Sequence, residues 1–275
     1  MLKIIAISNP KGGVGKTTTA INLTASLAAA EKKVLLLDLD PNGAVSLGLG
    51  IENGLLSKGL FEVMLGTVNL MNAVHHFEFP EFDVLPCNIQ NSEEENRLIA
   101  LAKNRTNLKN KIYDLVRKKK IEYDFIIIDT PPILNDLTLS AFCAAKSVLI
   151  PLQCGYFSLR LVDKLFQAIR RVKISINPDL YIEGILLNFY EKNTRESRQA
   201  AREAKAKFGD LVFDSVIPKN AAIGFSAFKR KPVVLLDAFA SGAVAYLKLA
   251  EEILHRDAAV SKKTFTFVPT GLSFQ

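Results

Sequence analysis

Cysteine is scarce: Cys87, Cys143 and Cys154 are the only three in 275 residues, far apart and without a C-x-x-C pair. This argues against a disulfide scaffold or a cysteine-built zinc site, and the three are expected to serve as small buried hydrophobes. Long apolar runs are also lacking. No stretch approaches the ~18 uninterrupted apolar residues of a membrane-spanning helix, and the opening "MLKIIAIS" is too short for a secretory leader. A cytoplasmic protein is the expectation. No Pro/Gly/Ser-rich linker divides the chain, and no repeat recurs at a solenoid period. One domain is therefore expected over residues 1–255. The remainder, 256–275, loses helical periodicity, and its "TFTFV" alternates like a short edge strand.

About half of the residues (49%) are apolar, enough for a substantial core. The net charge of +7 permits a polyanionic partner without requiring one. The basic run Arg117-Lys118-Lys119-Lys120 closes a predicted helix, where its charges suit the negative end of the helix dipole better than a ligand. His75 and His76 fall in a predicted surface loop with no spaced third ligand, so a metal site is not expected there.

Short β-branched runs alternate with helical patterns. Eight strand candidates begin at Leu2, Val34, Phe82, Asp124, Ser147, Tyr181, Leu211 and Val233. Helical patterns cover Lys16 to Ala30, Ser92 to Arg117, Leu159 to Ser175, Arg195 to Phe208 and Ser241 to Leu254. The fold class predicted is α/β: a single P-loop domain with a doubly wound, twisted, mostly parallel sheet and helices on both faces.

Between the first strand and the first helix stands "SNPKGGVGKTTT". Gly15, Lys16 and Thr17 match the end of the phosphate-loop pattern, but Pro10 occupies its first glycine position and a second lysine, Lys11, follows. Gly12, Gly13 and Gly15 let the backbone of Lys11 to Thr18, Val14 included, approach phosphate oxygens. The helix beginning at Lys16 aims free N–H groups at the same anion. Lys16 is expected to reach the β- and γ-phosphates of ATP, and the Thr17 hydroxyl to ligate Mg²⁺. The run "FIIID" delivers Asp129 to the ligand-binding edge of the sheet as a further Mg²⁺ partner. "VLLLDLD" delivers Asp38 and Asp40 to the same edge. Asp40 is placed to orient a water for in-line attack, and Asp38 to secure either the Mg²⁺ shell or the loop.

These blocks, with "SVLIPLQC", "VIPKN" and "GAVAYLKLAEEIL" in order and at matching spacing, resemble the ParA/MinD group of deviant-Walker ATPases nearly end to end. The likeness is to the short ParA-type chromosome and plasmid partition ATPases in particular. The resemblance implies a weak ATP hydrolase whose ATP state is a homodimer, with Lys11 crossing the interface to the partner's phosphates. It also implies that Asp40 positions the attacking water, that Pro218 and Asn220 lie against the adenine, and that Asn188 also contacts the base. A ParB-like centromere-binding protein is the implied stimulating partner, and nonspecific double-stranded DNA of the nucleoid the implied surface.

On the helix "RESRQAAREAKAKF", Arg195, Arg198, Arg202 and Lys205 form one basic stripe beside an apolar face of Ala201, Ala204 and Phe208. Such charge supplies sequence-independent, salt-sensitive DNA binding. A solvated face is the competing explanation. Ala221 or Ala222 stands where the family often has a DNA-contacting arginine, so Lys219 or the triplet Lys229-Arg230-Lys231 is expected to take its place. The alternative is a MinD-like or orphan positioning ATPase on a membrane or another large assembly. A membrane anchor needs an amphipathic C-terminal helix, and "TFTFVPTGLSFQ" offers none, so no membrane is expected. A metabolic P-loop enzyme is the third class; the cluster-ligating cysteines of nitrogenase-reductase relatives have no counterpart. The phosphate loop begins too early for a helix-turn-helix ahead of it.

Overall fold

The computed structural model describes residues 2–51, 58–117, 122–154 and 158–260. Its strands are β1 (Lys3–Ile7), β2 (Val34–Asp38), β3 (His75–Glu78), β4 (Glu81–Leu85), β5 (Phe125–Asp129), β6 (Ser147–Gln153), β7 (Tyr181–Tyr190) and β8 (Val212–Pro218). They form one sheet in the order β3-β4-β2-β5-β1-β6-β7-β8, parallel throughout except for the β3–β4 pair. The strand order reverses at β1, so the loop after β1 sits at the switch point where doubly wound sheets bind ligands.

Helices α1 (Lys16–Ala29), α2 (Ala44–Leu49), α3 (Leu60–Leu65), α4 (Ser92–Ala102), α5 (Asn107–Arg117) and α6 (Asp136–Ala144) precede β6. After it come α7 (Ser158–Ser175), α8 (Arg195–Phe208), α9 (Ala221–Phe228), α10 (Val233–Leu236) and α11 (Ser241–Val260). The central strands β1, β2 and β5 are buried at every position because both faces are covered. Ile4, Ala6, Leu35, Leu37, Ile126 and Ile128 pack with α3 to α7, while Ile5, Ile7, Leu36 and Ile127 pack with α1 and α11. No helix among the described residues is long and apolar enough to cross a membrane.

Several local expectations are corrected. "VVLL" from Val233 is a short helix, not a strand. Pro232 starts it, and the Val233 N–H is bound by Asn22 Oδ1 of α1 at 2.7 Å, which removes that donor from any ladder. His75 and His76 lie not in a loop but in β3, an antiparallel edge strand registered by the stacked pair Phe77–Phe82, whose centroids are 4.9 Å apart. His76 Nδ1 meets Asp83 Oδ1 at 2.9 Å. The helical pattern from Ser92 to Arg117 divides into α4 and α5 at Asn104, whose carbonyl accepts from Asn107 N and whose side chain accepts from Thr106 Oγ1. Cys87 and Cys143 are buried, whereas Cys154 is half-exposed. Helix α11 continues past His255 to Val260. "TFTFV" and Lys118 to Lys120 lie outside the described residues.

Candidate nucleotide site

The loop between β1 and α1 is anchored before it turns. Asn9 donates from Nδ2 to Pro151 O at 2.7 Å, tying the loop to β6, and its Oδ1 accepts from Lys11 N at 2.9 Å. Gly13 and Gly15 take φ of +71° and +86°, the left-handed region that favours glycine. Gly15 has a second constraint, since a Cβ there would lie 2.7 Å from Asn188 Nδ2. Helix α1 starts immediately after Gly15 with no side-chain cap, so its first-turn N–H groups and positive dipole end face the loop's concave side. That is the elementary requirement of an anion site.

Charged side chains converge on the same point. Lys16 is buried, and its Nζ donates to Lys11 O at 3.1 Å. Burial lowers its pKa, while Asp129 and Asp40 favour the ammonium. Thr17 Oγ1 donates to Asp129 Oδ2 at 2.6 Å, but Asp129 Oδ1 is buried with no partner. Burial pushes the Asp129 carboxyl up to about 7 against the Thr17 hydrogen bond. Asp38 sits opposite Asp129 in the parallel register of β2 and β5 and is fully buried. Its carboxyl is raised first by burial, then by Asp129. Both Asp38 oxygens are engaged: Oδ1 accepts from Asp40 N at 3.1 Å and Oδ2 from Val45 N at 3.2 Å. Asp38 therefore secures the loop leading into α2. Asp40 Oδ1 accepts from both nitrogens of Asn42, at 3.0 and 2.8 Å, which fixes its rotamer at the start of that loop.

Adjacent buried carboxylates with one orphaned oxygen need positive charge nearby. A hydroxyl, a carboxylate oxygen and a phosphate cradle suit Mg²⁺, which keeps several waters and takes few protein ligands. Accordingly, among the described residues no group of three or more His, Cys, Asp or Glu forms a metal cage.

Sequence reasoning brings Lys11 to Thr18, Asp38, Asp40, Asp129 and Asn188 to one place; in the structure Lys11, Lys16, Thr17, Asp38, Asp40, Asp129 and Asn188 make side-chain hydrogen bonds around the loop, and Gly12, Gly13 and Gly15 contribute backbone alone, which leaves Thr18 and Val14. Those two take part through their carbonyls, which accept from Asn22 Nδ2 at 2.8 Å and Asn188 Nδ2 at 2.9 Å. Asn188 is buried behind Gly15, also donates to Thr19 Oγ1 at 3.3 Å, and leaves Oδ1 unpartnered. Lys11 Nζ donates to Gln153 Oε1 at 3.2 Å and has no ion pair among the described residues. Pro218 ends β8 opposite Tyr190, at the same sheet edge; Asn220 caps α9, accepting from Ala222 N, and donates to Ser241 Oγ at 2.7 Å. Asn9 and Gln153 were missed by sequence reasoning. The polar residue that ends each apolar strand run was the available signal.

The basic residues are dispersed. Arg195, Arg198, Arg202 and Lys205 are exposed on α8. Arg198 Nη1 donates to Lys192 O at 3.0 Å, and Lys205 pairs with Asp214 at 3.3 Å. Lys219 pairs with Glu191 at 3.3 Å, while Lys229 lies over the rings of Phe225 and Phe228, beside exposed Arg230 and Lys231.

A family model described as an AAA domain matches residues 2–182. The chromosome partitioning protein ParA of Caulobacter vibrioides is 41% identical over 256 residues, which cover 93% of this chain and 95% of that one. The chain belongs to the ParA/MinD family of P-loop ATPases. Among solved structures, the cell division ATPase MinD of Pyrococcus furiosus superposes with a TM-score of 0.77 at 28% identity, covering 93% of this chain and all (100%) of that one. A Mycobacterium smegmatis structure named cobyrinic acid a,c-diamide synthase, with bound ADP and magnesium, gives 0.78 at 31% identity, covering 98% and 100%. In this ParA/MinD ATPase the two lysines of the loop, Lys11 and Lys16, are held differently. Lys16 is buried in the field of Asp129 and Asp40, whereas Lys11 rests on a neutral amide.

Proposed function

We propose that the protein is a partition ATPase: a slow, partner-stimulated switch that dimerises around ATP and holds nonspecific DNA in that state. The observation that carries this reading is Lys11, a cation without an ion pair at the rim of an anion cradle, on a chain 41% identical to a chromosome partitioning ParA. Gly12 to Thr18 and Lys16 bind the phosphates. Lys11 reaches the nucleotide of a second copy, which makes ATP the dimerising ligand. Thr17 and Asp129 would hold Mg²⁺, with Asp38 securing the neighbouring loop, and the ion when bound supplies positive charge against the phosphate oxygens. Asp40, its rotamer held by Asn42, positions the attacking water. Asn188, Pro218 and Asn220 are the residues for the base. A ParB-like protein accelerates hydrolysis, and loss of the γ-phosphate returns the dimer to monomers and releases the nucleoid.

Two substitutions test the parts separately. Lys11→Ala should bind ATP yet sediment as a monomer with ATP present; a dimer of this variant in the ultracentrifuge would remove Lys11 from the interface. Arg198→Glu with Arg202→Glu should weaken binding to a random duplex by about tenfold or more, because each phosphate contact adds to a counterion-release slope. ATP-dependent dimerisation should persist. The deciding experiment on the wild type is co-sedimentation with random DNA, expected to need ATP and to fall steeply with salt. DNA binding indifferent to ATP would refute the switch.

A further inference from the structure

Helices α6 and α7 lie side by side on one face of the sheet, and a groove of about 430 Å³ runs between them. Its apolar residues are Leu134, Leu139, Ala168 and Val172, three of them only half-buried. Lys164 and Arg171 line it from α7, seven residues apart and so on one side of that helix, and Arg105 lines it from the α4–α5 junction. Among the described residues neither Lys164 nor Arg171 has an ion-pair partner. The carboxylate at this site is Asp136, already bound to Arg105 Nη2 at 2.9 Å, while Asp163 of α7 pairs with Lys207.

We propose that this groove docks an acidic amphipathic helix of a partner protein. Lining residues on α7 run from Lys164 to Ser175, ~16 Å of helix at ~1.5 Å per residue, the length of about three turns of an incoming helix and more than a small anion fills. Leucine-like anchors on that helix would cover the apolar floor, and its carboxylates would meet Lys164 and Arg171. Double-stranded DNA would use the cations but leave Leu134 and Leu139 uncovered. The chain's own segment after Val260 has the wrong charge, with Lys262 and Lys263 and no acidic side chain. The site also bears on the nucleotide. Leu134 belongs to the stretch that follows Asp129, and that stretch is pinned to α6 by Thr138 Oγ1 donating to Ile133 O at 2.6 Å and Thr138 N to Asn135 Oδ1 at 3.2 Å. A docked carboxylate would compete with Asp136 for Arg105 and shift the start of α6. The inference stands apart from the DNA reading above and uses none of its residues.

The test uses the full chain and a fluorescein-labelled synthetic helix of about 14 residues, with leucines on one face and glutamates beside them, read by anisotropy. Lys164→Glu with Arg171→Glu should weaken binding about tenfold or more. The same double variant should gain affinity for a second peptide with lysines in place of the glutamates. Both residues are exposed, so the variant should fold, and unchanged ATP binding checks this. Failure of the glutamate helix to bind, equal binding of a scrambled peptide, or binding indifferent to the charge reversal would overturn the proposal. So would loss of random-duplex binding by the double variant with no change in peptide binding, since the cations would then serve DNA.

Discussion

Lys16→Ala should reduce ATP affinity by roughly a hundredfold or more, in line with the 2–5 kcal/mol lost when one partner of a desolvated charge pair is truncated. The magnitude follows from where the ammonium sits. Lys16 is 7% exposed, so little water competes for its charge, and Asp129 and Asp40 hold it in the charged form against burial. Removing it takes a cation from an anion site and leaves the field of the buried carboxylates uncompensated, so phosphates would enter against net repulsion. Titration of a fluorescent ATP analogue measures the effect. Lys11→Ala serves as the control, since it should bind the analogue nearly as well as wild type. Near-wild-type affinity in Lys16→Ala would show that the backbone N–H groups alone hold the phosphates.

Lys3→Met should destabilise the fold by about 3–5 kcal/mol, the usual consequence of leaving one buried charge without its partner. Lys3 of β1 reaches over β6 to Glu183 of β7, Nζ to Oε1 at 2.9 Å, with side chains 5% and 2% exposed. Ser147 of β6 donates to the second carboxylate oxygen at 2.7 Å, so the three strands share one buried polar contact. At ~2–4 °C per kcal/mol for domains of this size, the melting temperature should fall by roughly 10 °C. Adding Glu183→Gln should restore much of the loss, because it removes the stranded charge yet keeps an acceptor for Ser147; coupling of this kind separates a pair effect from simple loss of packing. A Lys3→Met protein within ~0.5 kcal/mol of wild type in urea unfolding would mean that Glu183 finds another way to be neutralised.

What could be read in advance, and what could not, divides along sequence distance. Strand β1, helix α1 and the whole of α8 were legible because their signals are local: an apolar run, a glycine-lysine loop, and a 3.6-residue alternation of basic and apolar residues. Strand β3 was not, since three of the four residues of "HHFE" are polar and it becomes a strand only through pairing with β4 and the Phe77–Phe82 stack. "VVLL" was misread for the opposite reason. Its β-branched residues suit a strand, but Asn22, 211 residues away, holds its first N–H in a helix. The same division holds in the site. Lys16, Thr17, Asp40 and Asp129 are visible from spacing, while the supports of the loop, Asn9 on Pro151 and Asn188 on Val14, act across 142 and 174 residues.

The sequence by itself determined that this chain folds as a doubly wound α/β domain and that it carries two lysines on one phosphate loop, because strand composition, glycine freedom and helix-start chemistry are properties of neighbouring residues. Only the tertiary structure decided what each charged group does there. Asp38 became an anchor for backbone N–H groups, Asp129 kept an orphaned oxygen, Lys16 was enclosed and Lys11 left without a counter-charge. Desolvation and pairing are set by what the fold packs around a side chain, and a linear spacing holds no record of that.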